Sequence, residues 1–95
     1  MAVHTRSLKQ ARSDIIAAGF NWNGVLFQTG PDDVRNITGR VGKITAKKAL
    51  GDPVPDFQWR AADNSMHLFA ANDFLRFAIA VDEFVESTYI ASWEL

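Results

Sequence analysis

The run Phe20-Asn21-Trp22-Asn23-Gly24-Val25-Leu26-Phe27 spells out a β-hairpin. An Asn-Gly pair supplies the two positive-φ positions of a type I′ turn, whose twist matches that of the flanking strands. A two-residue loop sets Trp22 opposite Val25 and Phe20 opposite Phe27, so four apolar side chains fall on one face. That face must pack on something, and the rest of the chain supplies helices.

A first helix is expected over residues 5–18, where Leu8, Ala11, Ile15 and Ala18 recur as a narrow apolar stripe. Gly19 stands where a left-handed residue closes a helix. After the hairpin, Gly30-Pro31-Asp32-Asp33 marks a helix start: proline suits the first helical position, and the aspartates complement the positive helix end. This second helix should run to about Leu50, with Gly51 and Pro53 stopping it. Val34, Ile37, Val41, Ile44 and Thr45 form its apolar side, and Arg40, Lys43 and Lys47 lie opposite. Gly39 and Gly42 weaken it by roughly 1 kcal/mol each relative to alanine, and could admit close approach of another backbone.

A second hairpin is expected between Phe57 and Phe69, turning at Asp63-Asn64. In that register Phe57, Trp59, Ala61, Met66 and Leu68 share one face, and Gln58, Arg60, Ser65 and His67 the other. The last helix should start at Asn72 or Asp73, either of which can cap it. Its main stripe is Phe74, Phe77, Ala78, Val81, Phe84 and Val85. A second stripe, about 120° away, holds Leu75, Ile79, Ile90 and Trp93. One helix in so small a chain normally buries one side, and this one is apolar on two.

Ninety-five residues fit one domain, 1–95, with a flexible start over about residues 1–5. An apolar fraction of 47% provides for a core, which argues against disorder. Without cysteine there is no disulfide framework, thiolate zinc site or thiol nucleophile. Met1 to Arg12 is polar and basic with no apolar run behind it, unlike a signal peptide. Charge is divided: residues 1–50 hold eight Lys/Arg against three Asp/Glu, and residues 51–95 hold two against eight. Such a split is satisfied inside one fold or between neighbouring copies.

Most constellations read as structure rather than chemistry. Gly39-Arg40-Val41-Gly42-Lys43-Ile44-Thr45 has the wrong glycine spacing for a phosphate loop and lies within a helix. His4 and His67 have no second ligand at metal spacing, and His67 reads as an exposed strand residue. Asp82, Glu83 and Glu86 read as a charged helix face, so the chain is expected not to be an enzyme and to carry no cofactor or metal. Trp22 and Trp59 alternate with apolar residues and belong to the core. Trp93 lies on the second stripe, where a large aromatic anchors an interface. The expected interaction surface is therefore Leu75, Ile79, Glu86, Ile90 and Trp93. The alternative is a nucleic-acid surface of Arg40, Lys43 and Lys47, disfavoured by the net charge of −1.

The segments ARSDIIAAGFNWNGVLFQTGPDDVRNITG and FQWRAADNSMHLFAANDF resemble the domain of unknown function 4376, over about residues 10–90. The matching features are Gly19, the WNGVLFQT hairpin, the acidic helix start, Asn36-Ile37 with Gly39, the WRAADN turn and the closing helix. Ala70 departs from the Asp or Thr such domains tend to place before that helix. The domain recurs in proteins of tailed bacteriophages and prophages, often at the end of tail-fibre or tail-assembly proteins. The resemblance implies a structural or assembly component of a phage tail. Its partners would be other tail proteins or copies of itself, and its location the virion tail or the bacterial host cytoplasm. The expected fold is α+β in the order helix–hairpin–helix–hairpin–helix, with a small antiparallel sheet or two ribbons packed on three helices.

Overall fold

The computed structural model describes residues 7–93. The expected flexible start at residues 1–5, and His4 within it, lies outside the described residues. Three helices alternate with two hairpins: α1 (Leu8–Ala18), β1 (Phe20–Trp22), β2 (Val25–Phe27), α2 (Pro31–Leu50), β3 (Phe57–Arg60), β4 (Met66–Phe69) and α3 (Ala71–Trp93). The hairpins remain two separate antiparallel ribbons, giving an α+β arrangement. Beyond side-chain packing, the Ala62 N–H bonds the Leu26 carbonyl at 2.9 Å, so the turn of one ribbon is tied to a strand of the other.

Local chemistry accounts for each element. Ser7 caps α1 by accepting the Gln10 N–H at 3.0 Å. Gly19 follows with φ 98 and ψ −178, a positive φ but not the left-handed helical conformation expected. A side chain there would bring Cβ within 2.6 Å of the Phe27 carbonyl oxygen, so the requirement is for space as well as backbone freedom. The first hairpin has the register its turn dictates, Phe20 opposite Phe27 and Trp22 opposite Val25, with positive φ at Asn23 and Gly24.

Asp33 accepts the Gly30 N–H at 3.1 Å to open α2, with Pro31 as its first residue. At the far end the Gly51 and Asp52 N–H groups bond the carbonyls of Lys48 and Lys47. Ile37 and Ile44 are buried, whereas Thr45, expected on the same side, is exposed. Gly39 and Gly42 admit no neighbouring backbone: a Cβ on either would meet nothing within 4 Å.

The second hairpin departs from its expected register. Trp59 faces His67 and Phe57 faces Phe69, so His67 and Phe69 turn inward while Met66 and Leu68 turn out, 52% and 66% exposed. The cause is the loop. Asn64 adopts φ 71, its N–H bonds the Ala61 carbonyl, and the Ala61 N–H bonds the Ser65 carbonyl. This is a three-residue loop with a left-handed third residue, not a two-residue turn at Asp63-Asn64. One extra loop residue exchanges the two faces of the second strand.

The last helix begins at Ala71, ahead of the expected Asn72 or Asp73. The Ala70 carbonyl already accepts the Phe74 N–H at 3.0 Å, and Asp73 becomes a first-turn acid paired with Arg76. Phe74, Phe77 and Val81 of α3 are buried together with Phe27, Phe69, Ala61, Ile37 and Ile44. Rings dominate the packing: Phe27 lies 4.9 Å from Phe77, Trp59 4.8 Å from Phe74, and Phe69 5.3 Å from each of Phe74 and Phe77. Trp22 and Trp59 are half-buried at the margin of this cluster.

The described chain is long for its mass, 61 × 27 × 20 Å. Its radius of gyration is 16.0 Å, against about 12 Å for a compact chain of this length. Length comes from α3, whose 23 residues span about 34 Å at 1.5 Å per residue.

Candidate functional site

The core uses only the first half of α3. Beyond Val85 the helix continues with α1 as its companion, and the two run antiparallel. Phe20, just after α1, stacks 5.2 Å from Phe84. Nearer the start of α1, the Arg12 guanidinium lies 4.1 Å over the Tyr89 ring and its Nη1 donates to Ser92 Oγ at 3.2 Å. Ser92 in turn donates to the Tyr89 carbonyl at 2.7 Å. None of the eleven residues of α1 is buried. Leu8, Ala11 and Ile15 do turn towards Phe84, Ser87 and Ala91, but the seam stays open as a groove of roughly 370 Å³. Leu8 and Ile15 remain exposed.

The expected interaction residues lie along one face of α3 by their spacing, in two surroundings. Leu75 is half-buried and Ile79 is 59% exposed. Both border a groove of about 430 Å³ against Val34, Ile37 and Val41 of α2. Glu86, Ile90 and Trp93 stand on the half of the helix that α1 accompanies. All three are exposed, Trp93 by 69%. Tyr89 packs its ring 5.9 Å from Trp93 and extends the patch. Sequence reasoning missed Leu8, Arg12, Ile15 and Tyr89. The signal for Tyr89 was its position one helical turn before Trp93; for α1 it was a stripe half made of alanine, too thin to close a seam.

The alternative cationic surface is differently built. Arg40 is folded back over the second ribbon, its guanidinium 4.5 Å from the Phe57 ring centre and 5.8 Å from that of Trp59. Lys43 and Lys47 flank a small recess shared with Asp56 and Phe57. The ion pairs Arg35–Asp32 and Arg76–Asp73 are both one helical turn apart, and neither joins the basic half of the chain to the acidic half.

A cluster that the sequence did not disclose sits on the second turn. Ser65 Oγ is 2.5 Å from Asp63 Oδ1 and 2.8 Å from His67 Nε2, and the Ser65 N–H donates to the same carboxylate at 2.9 Å. An ionised carboxylate only accepts, so the hydroxyl proton points to Asp63 and the imidazole carries its hydrogen on Nε2. A serine nucleophile needs the opposite order, with imidazole taking the hydroxyl proton. The cluster fixes the loop and holds the Asp63 carboxyl below its ordinary value through the Ser65 side-chain and backbone hydrogen bonds. Half-buried His67, turned inward by the loop, sets its ring 5.8 Å from Phe27.

Among the described residues no group of three His, Cys, Asp or Glu is placed to hold a metal ion, and no helix is long and apolar enough to cross a membrane. No curated protein and no solved structure matches the chain. A family described as Domain of unknown function (DUF4376) matches residues 2–95, and the chain belongs to that family.

Proposed function

We propose that this chain is a non-enzymatic structural or assembly protein of a phage or prophage tail, acting through protein–protein contacts. The observation that carries the docking role is the half-finished arm of α1 and α3. It combines a helix with no buried residue, an open apolar seam and an exposed Trp93 beside Tyr89. Large aromatics in a partly apolar surround are the usual anchors of protein interfaces. The tail setting rests on the resemblance to domains that recur in tail-fibre and tail-assembly proteins, and it implies the virion tail or the host cytoplasm as location. Retention of the chain by purified tails of its own phage tests the reading. Binding that is lost in Trp93→Ala and Ile79→Asp supports it, and binding untouched by both removes α3 as the interface. Nucleic-acid binding is the weaker reading, because Arg40 is stacked on the Phe57 ring. It requires salt-sensitive retention of DNA or RNA that weakens in Lys43→Glu.

A further inference from the structure

We propose that the outer face of α3 docks a helix of another protein, one whose apolar residues flank two central lysines or arginines. This rests on the reading above that α3 is a docking face, and it names the chemistry of what docks there. Three observations converge on it.

The first is spacing. Leu75, Ile79, Asp82, Glu86, Tyr89 and Trp93 follow one another at intervals of four, three, four, three and four residues. That is the repeat by which one helix lays a seam against another. The row turns away from Phe84, which lines the α1 side of the helix. It spans about 27 Å at 1.5 Å per residue. Leu75, Ile79 and Asp82 border the groove of about 430 Å³ against α2. Beyond them Tyr89 and Trp93 are exposed, with Ile90 alongside. An apolar groove continued by a row of anchors is the surface that an amphipathic helix fits.

The second is charge at the middle of the row. The outer positions are apolar, whereas Asp82 and Glu86 are exposed acids and Glu83 stands beside them. Among the described residues neither Asp82 nor Glu86 makes a side-chain hydrogen bond or ion pair. The facing wall of the groove, Val34, Thr38 and Val41, carries no cation. A helix lying along the row takes water from both carboxylates, and a cationic side chain opposite each compensates that loss.

The third observation rules against a second copy. Pairing α3 with α3 in parallel sets Asp82 on Asp82 and Glu86 on Glu86; the antiparallel arrangement sets Asp82 on Glu86. Acid opposes acid in both. The residues that select a basic partner therefore also keep copies apart. Within the chain, α1 has the apolar–basic–apolar order in Leu8, Arg12 and Ile15, but it lies along the Phe84 side.

Two synthetic helical peptides of about 18–20 residues test the proposal. Both carry leucine at the outer seam positions; one carries lysine and the other glutamate at the two central ones. Calorimetric titration into the full chain at about 50 mM salt should show the lysine peptide binding on the order of tenfold to a hundredfold more tightly. The gap should narrow at about 500 mM. Asp82→Lys combined with Glu86→Lys should reverse the ranking. Should that double variant fail to fold by circular dichroism, Asp82→Asn with Glu86→Gln should erase the ranking instead. Trp93→Ala should weaken lysine-peptide binding about tenfold or more. Equal binding of the two peptides, binding of neither, or indifference to Trp93→Ala overturns the proposal. So does a dimer in light scattering that Trp93→Ala dissolves. Retention by purified tails that survives the double charge reversal also overturns it and leaves the tail reading standing. Charge-selective peptide binding without tail retention removes the tail reading and supports this one.

Discussion

Thr29 Oγ1 donates a hydrogen bond of 2.5 Å to the carbonyl of Ile16, thirteen residues earlier in the chain, and Thr29 is completely enclosed. The contact locks the end of α1 to the segment that enters α2. The Ile16 carbonyl also accepts the Gly19 N–H at 3.2 Å, so removal of the hydroxyl leaves it one partner. Thr29→Val keeps the shape and should lower stability by about 1–2 kcal/mol. Thr29→Ser should recover part of the loss. Urea midpoints of the three proteins check this directly.

Gly39 and Gly42 lie in the interior of α2, exposed and with open space where a Cβ would stand. Alanine at either position should stabilise by about 0.8–1 kcal/mol through helix propensity alone. The pair should raise the thermal midpoint by several degrees. A loss of stability in either single variant would show that the backbone there meets a neighbour.

The register of the second ribbon has a sharp test. Phe69 is buried against Phe27, Phe74 and Phe77, so Phe69→Ala should cost about 3–5 kcal/mol. Leu68 points outward, and Leu68→Ser should stay within about 0.5 kcal/mol of the parent protein. The reverse ranking in chemical denaturation would restore the register in which Leu68 faces the core.

Asp63 predicts an acid dependence. Its carboxyl is held below the ordinary 3.8 by hydrogen bonds from the Ser65 side chain and then the Ser65 backbone N–H. A depressed carboxyl in the folded state stabilises above the unfolded value, and that stabilisation fades as pH falls from 3.8 through the folded value. Asp63→Asn should therefore remove part of the loss of stability seen between about pH 4 and pH 2. Denaturation midpoints of the two proteins across that range measure it. Parallel curves would mean the carboxyl titrates alike in both states.

Legibility varied with how local the deciding physics was. The first ribbon could be read in full because Asn23-Gly24 fixes the turn, and the turn fixes the pairing of Trp22 with Val25. The second could not. Ala62, Asp63 and Asn64 fit a two-residue or a three-residue loop, and β4 offers a large apolar side chain in either phase, Met66 and Leu68 in one and Phe69 beside His67 in the other. The left-handed Asn64 and the Ser65–Asp63 bonds made the choice. The start of α3 was hidden because Ala70 supplies only its carbonyl, which no side-chain signature marks. Along α3 the spacing of Leu75, Ile79, Ile90 and Trp93 did reveal a second apolar face. It could not reveal where α2 stops covering that face, because this depends on how two helices distant in sequence lie against each other. Hence Leu75 is half-buried while Trp93 stands open.

The unbroken course of α3 from Ala71 to Trp93 has a mechanical meaning. Neither glycine nor proline interrupts it, so it has no point at which to bend sharply. Its near end is gripped by a cage of phenylalanine rings, and its far end works as a lever. Whatever takes hold of Trp93 also sets the bearing of both ribbons, about 30 Å away along the helix axis.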